Sequence, residues 1–376
     1  MNASPAGAAA RPLWRTEWMF GFAAATCALF WAKGDVLFAA LGRPDALVGV
    51  FLWLFAAIVG SAFSAARHAE RLAEKFGEPY GTLILTLAVT FIEVMSISAV
   101  MLHGDPNPTL VRDTLLAVVM INLNGLVGLS LLIGGLRHKE QHYNLQGANA
   151  YLGVILPLAV LCVVLPDFTH TTPGPTYSTA QRFALAAVCV GLYCVFLAIQ
   201  TGRHRSFFVL ADEPGAPVHA TAPEAGRSTR VHFALLVAYL APVVYLAEQM
   251  ARPVDYVIET LGQPTVIGGV VIALLVISPE GLSAARAAHA NHLQRSINVI
   301  FGSALSSIGL TVPIMIVLVY VLNLPMALGV EGADLILLVL TLALSIVTFS
   351  SGRTNALQGL SHLILFVVFL LLIVQD

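Results

Sequence analysis

Residues Thr82 to Leu102 read TLILTLAVTFIEVMSISAVML, an unbroken apolar run with a single charged side chain, Glu93, near its middle. At about 1.5 Å per helical residue the run reaches about 30 Å, the thickness of a bilayer's hydrocarbon core. A carboxylate at that depth costs several kcal/mol, so its presence marks a functional site by default. Similar runs recur along the 376 residues, of which 58% are hydrophobic and 11% charged; soluble domains have about 45–50% and 25%. Ten more spans are read from hydropathy: Trp18–Leu41, Ala46–Ala66, Asp113–Leu136, Ala148–Leu165, Gln181–Ile199, His232–Met250, Val266–Ala288, Ile297–Leu322, Ala333–Phe349 and Ala356–Val374. The sequence therefore predicts an all-α integral membrane protein of about 11 transmembrane helices. The residues left over form short connections, which excludes a sizeable soluble catalytic module.

A net charge of −2 gives nucleic-acid binding no support. Cys27, Cys162, Cys189 and Cys194 all sit in apolar runs without a CxxC pair, so they read as packing residues. The first span is interrupted by Lys33 and Asp35 and reads as a retained lead helix, since no cleavage site separates it from the second. With eleven crossings, fourteen Lys and Arg fall on one side, among them Arg67, Arg71, Arg137, Arg203 and Arg286, and five on the other. This asymmetry predicts a cytoplasmic N-terminus, an outside C-terminus and residence in a bacterial cell (inner) membrane.

The connection 201–230 is rich in Pro, Ala, Gly and charge and reads as a solvated cytoplasmic linker. It separates two stretches that repeat in order. LGQP at Leu261 answers the LAEKFGEPYG that begins at Leu72, IN(x3)G at Ile297 answers IN(x2)G at Ile121, and GA at Gly332 answers GA at Gly147. The expected organisation is an N-terminal tail and lead helix (1–45), a first five-helix repeat (46–200), the linker, and a second five-helix repeat (231–376). Five is odd, so the second copy enters the bilayer from the opposite face, which makes these inverted repeats, with the substrate site expected at the midplane.

A second acid, Glu280, lies 11 residues before Asn291, and Glu93 lies 12 after Gly81; the helical rise places both about 16–18 Å deep. Thr86, Thr90 and Glu93 share one helical stripe, as do Glu280 and Ser283. Pro279 withdraws an amide beside Glu280 and is expected to kink the helix, freeing carbonyls. Asn122 and Asn124 are expected to face the level of the first acid, and Ser278, Ser303, Ser306 and Ser307 that of the second. Gly125, Gly128, Gly302 and Gly309 would allow close backbone approach. Carboxylate, hydroxyl, amide and carbonyl oxygens without Cys or His suit a hard cation such as Ca²⁺. With no Lys or Arg in that layer, protons compete with the cation for the same oxygens.

At these residues the chain resembles the calcium/cation antiporter superfamily, and within it the ChaA-type calcium or sodium/potassium–proton antiporters. The likeness rests on GEPYGTLILTLAVTFIEV (Gly77–Val94), VISPEGLSAAR (Val276–Arg286), LQRSINVIFGSALSSIGLTVP (Leu293–Pro313) and FSSGRTNALQG (Phe349–Gly359). It implies one lead helix plus two inverted five-helix repeats, with Glu93 and Glu280 binding cation and proton alternately. The acidic run often found in the family's central loop is diluted here to Asp212, Glu213 and Glu224.

The expected function is a secondary antiporter that expels Ca²⁺, with Na⁺ or K⁺ as alternatives, while protons enter. Its cation and proton ligands would be Glu93, Glu280, Thr90, Asn122, Asn124, Ser278, Ser303 and Ser307. A passive cation channel and a membrane-embedded hydrolase using paired acids remain open. Glu78 and Glu248 are candidates for guiding cations to the site, and His362 for relaying protons. His138 and His142, four apart, read as loop histidines, and Asn355 and Gln358 as ordering the last turn. The expected partners are inorganic cations, protons and lipid, with a homo-oligomer left open. No cofactor is expected, and without GxxxxGK[ST] the proton gradient is the expected energy source.

Overall fold

The computed structural model describes residues 16–77, 80–103, 107–210, 228–330 and 332–375. Among these residues eleven helices follow one another: α1 (Trp18–Ala39), α2 (Pro44–Phe76), α3 (Tyr80–Met101), α4 (Leu110–His138), α5 (Leu145–Phe168) and α6 (Thr179–Thr201), then α7 (Thr229–Thr260), α8 (Val266–His289), α9 (Leu293–Leu322), α10 (Gly332–Thr348) and α11 (Ala356–Gln375). Each span read from hydropathy lies on one of them. All but α10 are long and apolar enough to cross a bilayer by themselves. Confining the backbone to helices is what hydrocarbon demands, because every N–H and C=O must be satisfied within its own segment.

Local chemistry sets the boundaries. Pro44 occupies the first turn of α2, where a missing N–H costs nothing. Gly77 ends that helix with φ at +65° while its N–H returns to the Ala73 carbonyl. Ser178 and Gln181 form a reciprocal capping box at α6, and Asn144 and Ser228 cap α5 and α7. Of the expected linker, residues 205–208 form a short 3₁₀ turn, and 211–227 lie outside the described residues, as do Glu78 and residues 1–15.

The interior is formed chiefly by α4, α8 and α9, whereas α1, α6 and α11 are the most exposed. Outward-facing Trp31, Val195, Val321 and Val374 give the bundle an apolar exterior. Glycines bring the central helices together. A Cβ on Gly269 of α8 would lie 2.6 Å from the α4 backbone at Asp113 and Thr114, and one on Gly359 of α11 would lie 2.5 Å from Leu132 N. Gly128 faces Gly359 from the other side. Gly302, expected to serve such an approach, has only the Tyr151 hydroxyl near it, at 3.7 Å.

Two polar devices tie distant parts of the chain. At the start of α1, Glu17 Oε2 accepts from Arg67 Nη2 at 2.5 Å and from the Tyr239 hydroxyl at 3.0 Å, with His68 Nε2 at 3.3 Å. A carboxylate only accepts, so His68 donates from Nε2 and its Nδ1 accepts a hydrogen bond from His232 Nδ1–H at 3.1 Å. The cluster joins α1, α2 and α7. Elsewhere, β1 (Glu140–His142), after α4, pairs antiparallel with β2 (Arg353–Asn355), before α11. The Ala327 amide, between α9 and α10, donates to the Pro108 carbonyl, just before α4, at 2.8 Å. Asn355 and Gln358 cap α11 reciprocally, as expected for that turn.

Candidate functional site

Both acids sit on helices that face interrupted partners. Glu93 on α3 is 2% exposed. Its Oε2 accepts from two hydroxyls of α9, Ser307 Oγ at 2.9 Å and Thr311 Oγ1 at 2.8 Å. Ser307–Thr311 is a π turn within α9, and a matching π turn, Ile121–Leu126, lies within α4. Such turns widen a helix locally and occur often at functional positions. The π turn of α9 points Ser307 and Thr311, four residues apart, at one carboxylate oxygen.

Glu280 on α8 lies beside the α4 turn. Its neighbour Gly281 packs on Leu126, where a Cβ would lie 2.9 Å from that side chain. Ser303 of α9 and Glu93 of α3 are the polar groups within electrostatic reach of Glu280. Its Oε2 has no hydrogen-bond partner in the protein, and neither does Thr90 Oγ1 or either polar atom of the Asn122 amide, all of them buried. Buried polar atoms are ordinarily satisfied, so such orphans need a ligand. Here they are an oxygen of Glu280, a hydroxyl one turn before Glu93 and an amide on the α4 π turn, which is oxygen chemistry suited to a hard cation.

The remaining expected site residues lie elsewhere. Asn124 turns away from the acids and bonds Thr341 and His362. Ser278 bonds the Leu274 carbonyl of its own helix. Ser306 bonds the Ser303 carbonyl. α8 continues unbroken through Pro279, and the interruptions fall in the partner helices instead. Glu248 is exposed on α7. His362 is fully buried and bonds Thr348 and Asn124 rather than either acid. His138 bonds the His289 carbonyl in an exposed connection. Cys162 and Cys189 are buried free thiols 3.7 Å apart on α5 and α6. Thr311 escaped the sequence reading, although its spacing of four from Ser307 puts it on the same face.

A bundle of apolar helices enclosing two carboxylates, with buried oxygens that no protein group bonds, defines a membrane cation transporter. Residues 46–202 and 231–375 match the family model described as sodium/calcium exchanger protein, and the chain belongs to that family. It is a secondary transporter, not an enzyme. Among its relatives is a Sinorhizobium fredii protein named only as an ionic transporter, y4hA, 42% identical over 330 residues, covering 88% of this chain and 89% of the relative. The sodium-potassium/proton antiporter ChaA of Escherichia coli is 36% identical over 330 residues, covering 87% and 89%. The solved structure of native YfkE superposes with a TM-score of 0.74 at 20% identity, covering 95% of this chain and all of that one, which supports the fold.

Proposed function

We propose that the chain is a cation/proton antiporter of a bacterial inner membrane that exports Ca²⁺ while protons enter, with Glu93 and Glu280 carrying each in turn. The observation that supports this most is the pair of acids inside the apolar bundle, one of them with a buried oxygen that no protein group bonds, together with the equally unpartnered Thr90 hydroxyl and Asn122 amide. Two negative charges are neutralised equally by one Ca²⁺ or by two protons. In the empty site neither form of neutralisation is present, and a doubly ionised pair in hydrocarbon is costly, so one cargo leaves as the other arrives. Ser303 and Ser307 orient the acids, while Thr90 and Asn122 supply oxygens.

Residues 46–200 and 231–376 act in this reading as inverted five-helix repeats behind the lead helix 1–45, and access alternates as one group of helices rocks against the other. Supporting it, the α4 and α9 π turns are each backed by an aromatic ring from the last helix of the opposite half, Phe366 against Gly125 and Tyr193 against Gly309. The basic-residue asymmetry supports a cytoplasmic N-terminus and an outside C-terminus. Export of Na⁺ or K⁺ is a second reading, favoured by the name of the 36% identical relative.

The test uses inverted membrane vesicles with an imposed proton gradient, adding Ca²⁺, Na⁺ and K⁺ separately while a dye reports lumenal pH. Cation-dependent proton release that disappears in Glu93→Gln and in Glu280→Gln is expected, with both variants still monodisperse in detergent. Cation flux that persists after the pH gradient is collapsed would replace the reading with a channel. Wild-type exchange in either variant would remove that acid from the mechanism.

A further inference from the structure

The π turn of α4 carries two buried asparagines in opposite circumstances. Asn122 has an amide without a protein partner. Asn124, two residues on and therefore on the other side of the helix, is fully bonded. Its Nδ2 donates to Thr341 Oγ1 at 2.7 Å, and that hydroxyl donates in turn to the Leu337 carbonyl at 2.7 Å. The Thr341 proton is thus committed, which fixes the amide orientation and turns Asn124 Oδ1 toward His362, 3.2 Å away.

An amide oxygen only accepts, so the His362 proton sits on Nδ1, and Nε2 accepts from Thr348 Oγ1 at 2.9 Å. His362 reaches the turn because Gly359, one turn earlier on α11, lets the α11 backbone touch α4. Asn124, His362, Thr341 and Thr348 are all at most 1% exposed.

We propose that His362 is a positioning residue for cation binding: anchored by Thr348 of α10, it clamps Asn124 and so holds the π turn that presents the Asn122 amide to the cation. The inference rests on the function proposed above. It gives α10 and α11, which contribute no group to the acids, a part in binding. The ring's bonds run to a hydroxyl and an amide, so His362 acts by holding geometry and not by carrying a proton.

The experiment compares half-saturating cation concentration with maximal exchange rate, in proteoliposomes under a fixed proton gradient. His362→Phe keeps a ring of similar size and removes both nitrogens. Its half-saturating concentration is expected to rise about tenfold while the maximal rate stays within about twofold, as for a displaced binding group. His362→Gln, able to donate to Asn124 and accept from Thr348, is expected to recover most of that loss. Asn124→Leu should resemble His362→Phe, and the double variant should be little worse than either alone.

An unchanged half-saturating concentration in His362→Phe overturns the proposal. So does a fall in maximal rate alone, which would make His362 a proton carrier, or a loss that glutamine fails to rescue. If His362→Phe does not fold, Thr348→Val removes one bond at constant volume. A rise of about threefold is then expected, and no rise overturns the proposal. Wild type and Glu93→Gln are measured alongside. Absence of exchange in wild type defeats the proposed function, whereas exchange that Glu93→Gln abolishes and His362→Phe leaves unaltered defeats only the clamp.

Discussion

Replacing Thr311 with valine deletes one hydroxyl at nearly constant volume, and that hydroxyl donates to Glu93 Oε2 at 2.8 Å. Ser307 remains as the second donor to the same oxygen. A hydrogen bond to an ionised carboxylate is worth about 1.5–3 kcal/mol, whereas one to a neutral group is worth about 0.5–1.5 kcal/mol. The ionised form, the one that binds cation, therefore loses more than the protonated form, by about 1–1.5 kcal/mol. At about 1.4 kcal/mol per tenfold, the half-saturating cation concentration should rise about five- to tenfold. The maximal rate should hold, because Glu93 still alternates between its two cargoes. The assay is cation titration in proteoliposomes under a fixed proton gradient, with unfolding temperature in detergent as a control for packing. An unchanged half-saturating concentration in a folded variant would refute the reasoning, since Glu93 would then not depend on that donor while ionised.

Four further outcomes follow from the described contacts. Gly359→Ala drives a Cβ to 2.5 Å from the Leu132 nitrogen, an overpacking that should cost about 1–3 kcal/mol and lower the unfolding temperature. Gly153→Ala, which meets nothing within 4 Å, should be neutral or slightly stabilising; equal effects for the two would contradict the close α4–α11 contact. Glu17→Ala strips the carboxylate from Arg67, His68 and Tyr239 and should cost about 1.5–3 kcal/mol, read as a lower unfolding temperature. Arg43→Ala, whose pair with Asp45 is fully solvated, should leave that temperature unchanged.

The spans were legible because hydrocarbon imposes a length and a composition that few other structures need. Glu93 and Glu280 were legible for the same reason, each being an acid in a run that otherwise excludes charge. What the sequence concealed depends on helix phase and on neighbours. Asn122 and Asn124 looked equivalent, yet side chains two apart face opposite sides of a helix, and only the packing of α8 and α11 on α4 decides which of them meets the acids. Pro279 advertised a break in α8, but that helix runs on, and the π turns of α4 and α9 contain no proline to announce them. Thr311 lay hidden among apolar residues, and the Glu17 cluster brings together residues as much as 222 positions apart.

The β1–β2 ribbon and the Pro108–Ala327 bond also work as a parity check on the number of crossings. The ribbon fastens the far end of α4 to the far end of α10, and the bond fastens their near ends. α4 has ample length to traverse the bilayer, so its ends stand on opposite faces. Each end of α10 is tethered to one of them. The 17 residues of α10, about 25 Å of helix, are therefore obliged to make a full passage, and a hairpin dipping in from one face is ruled out by bonds made outside the helix altogether.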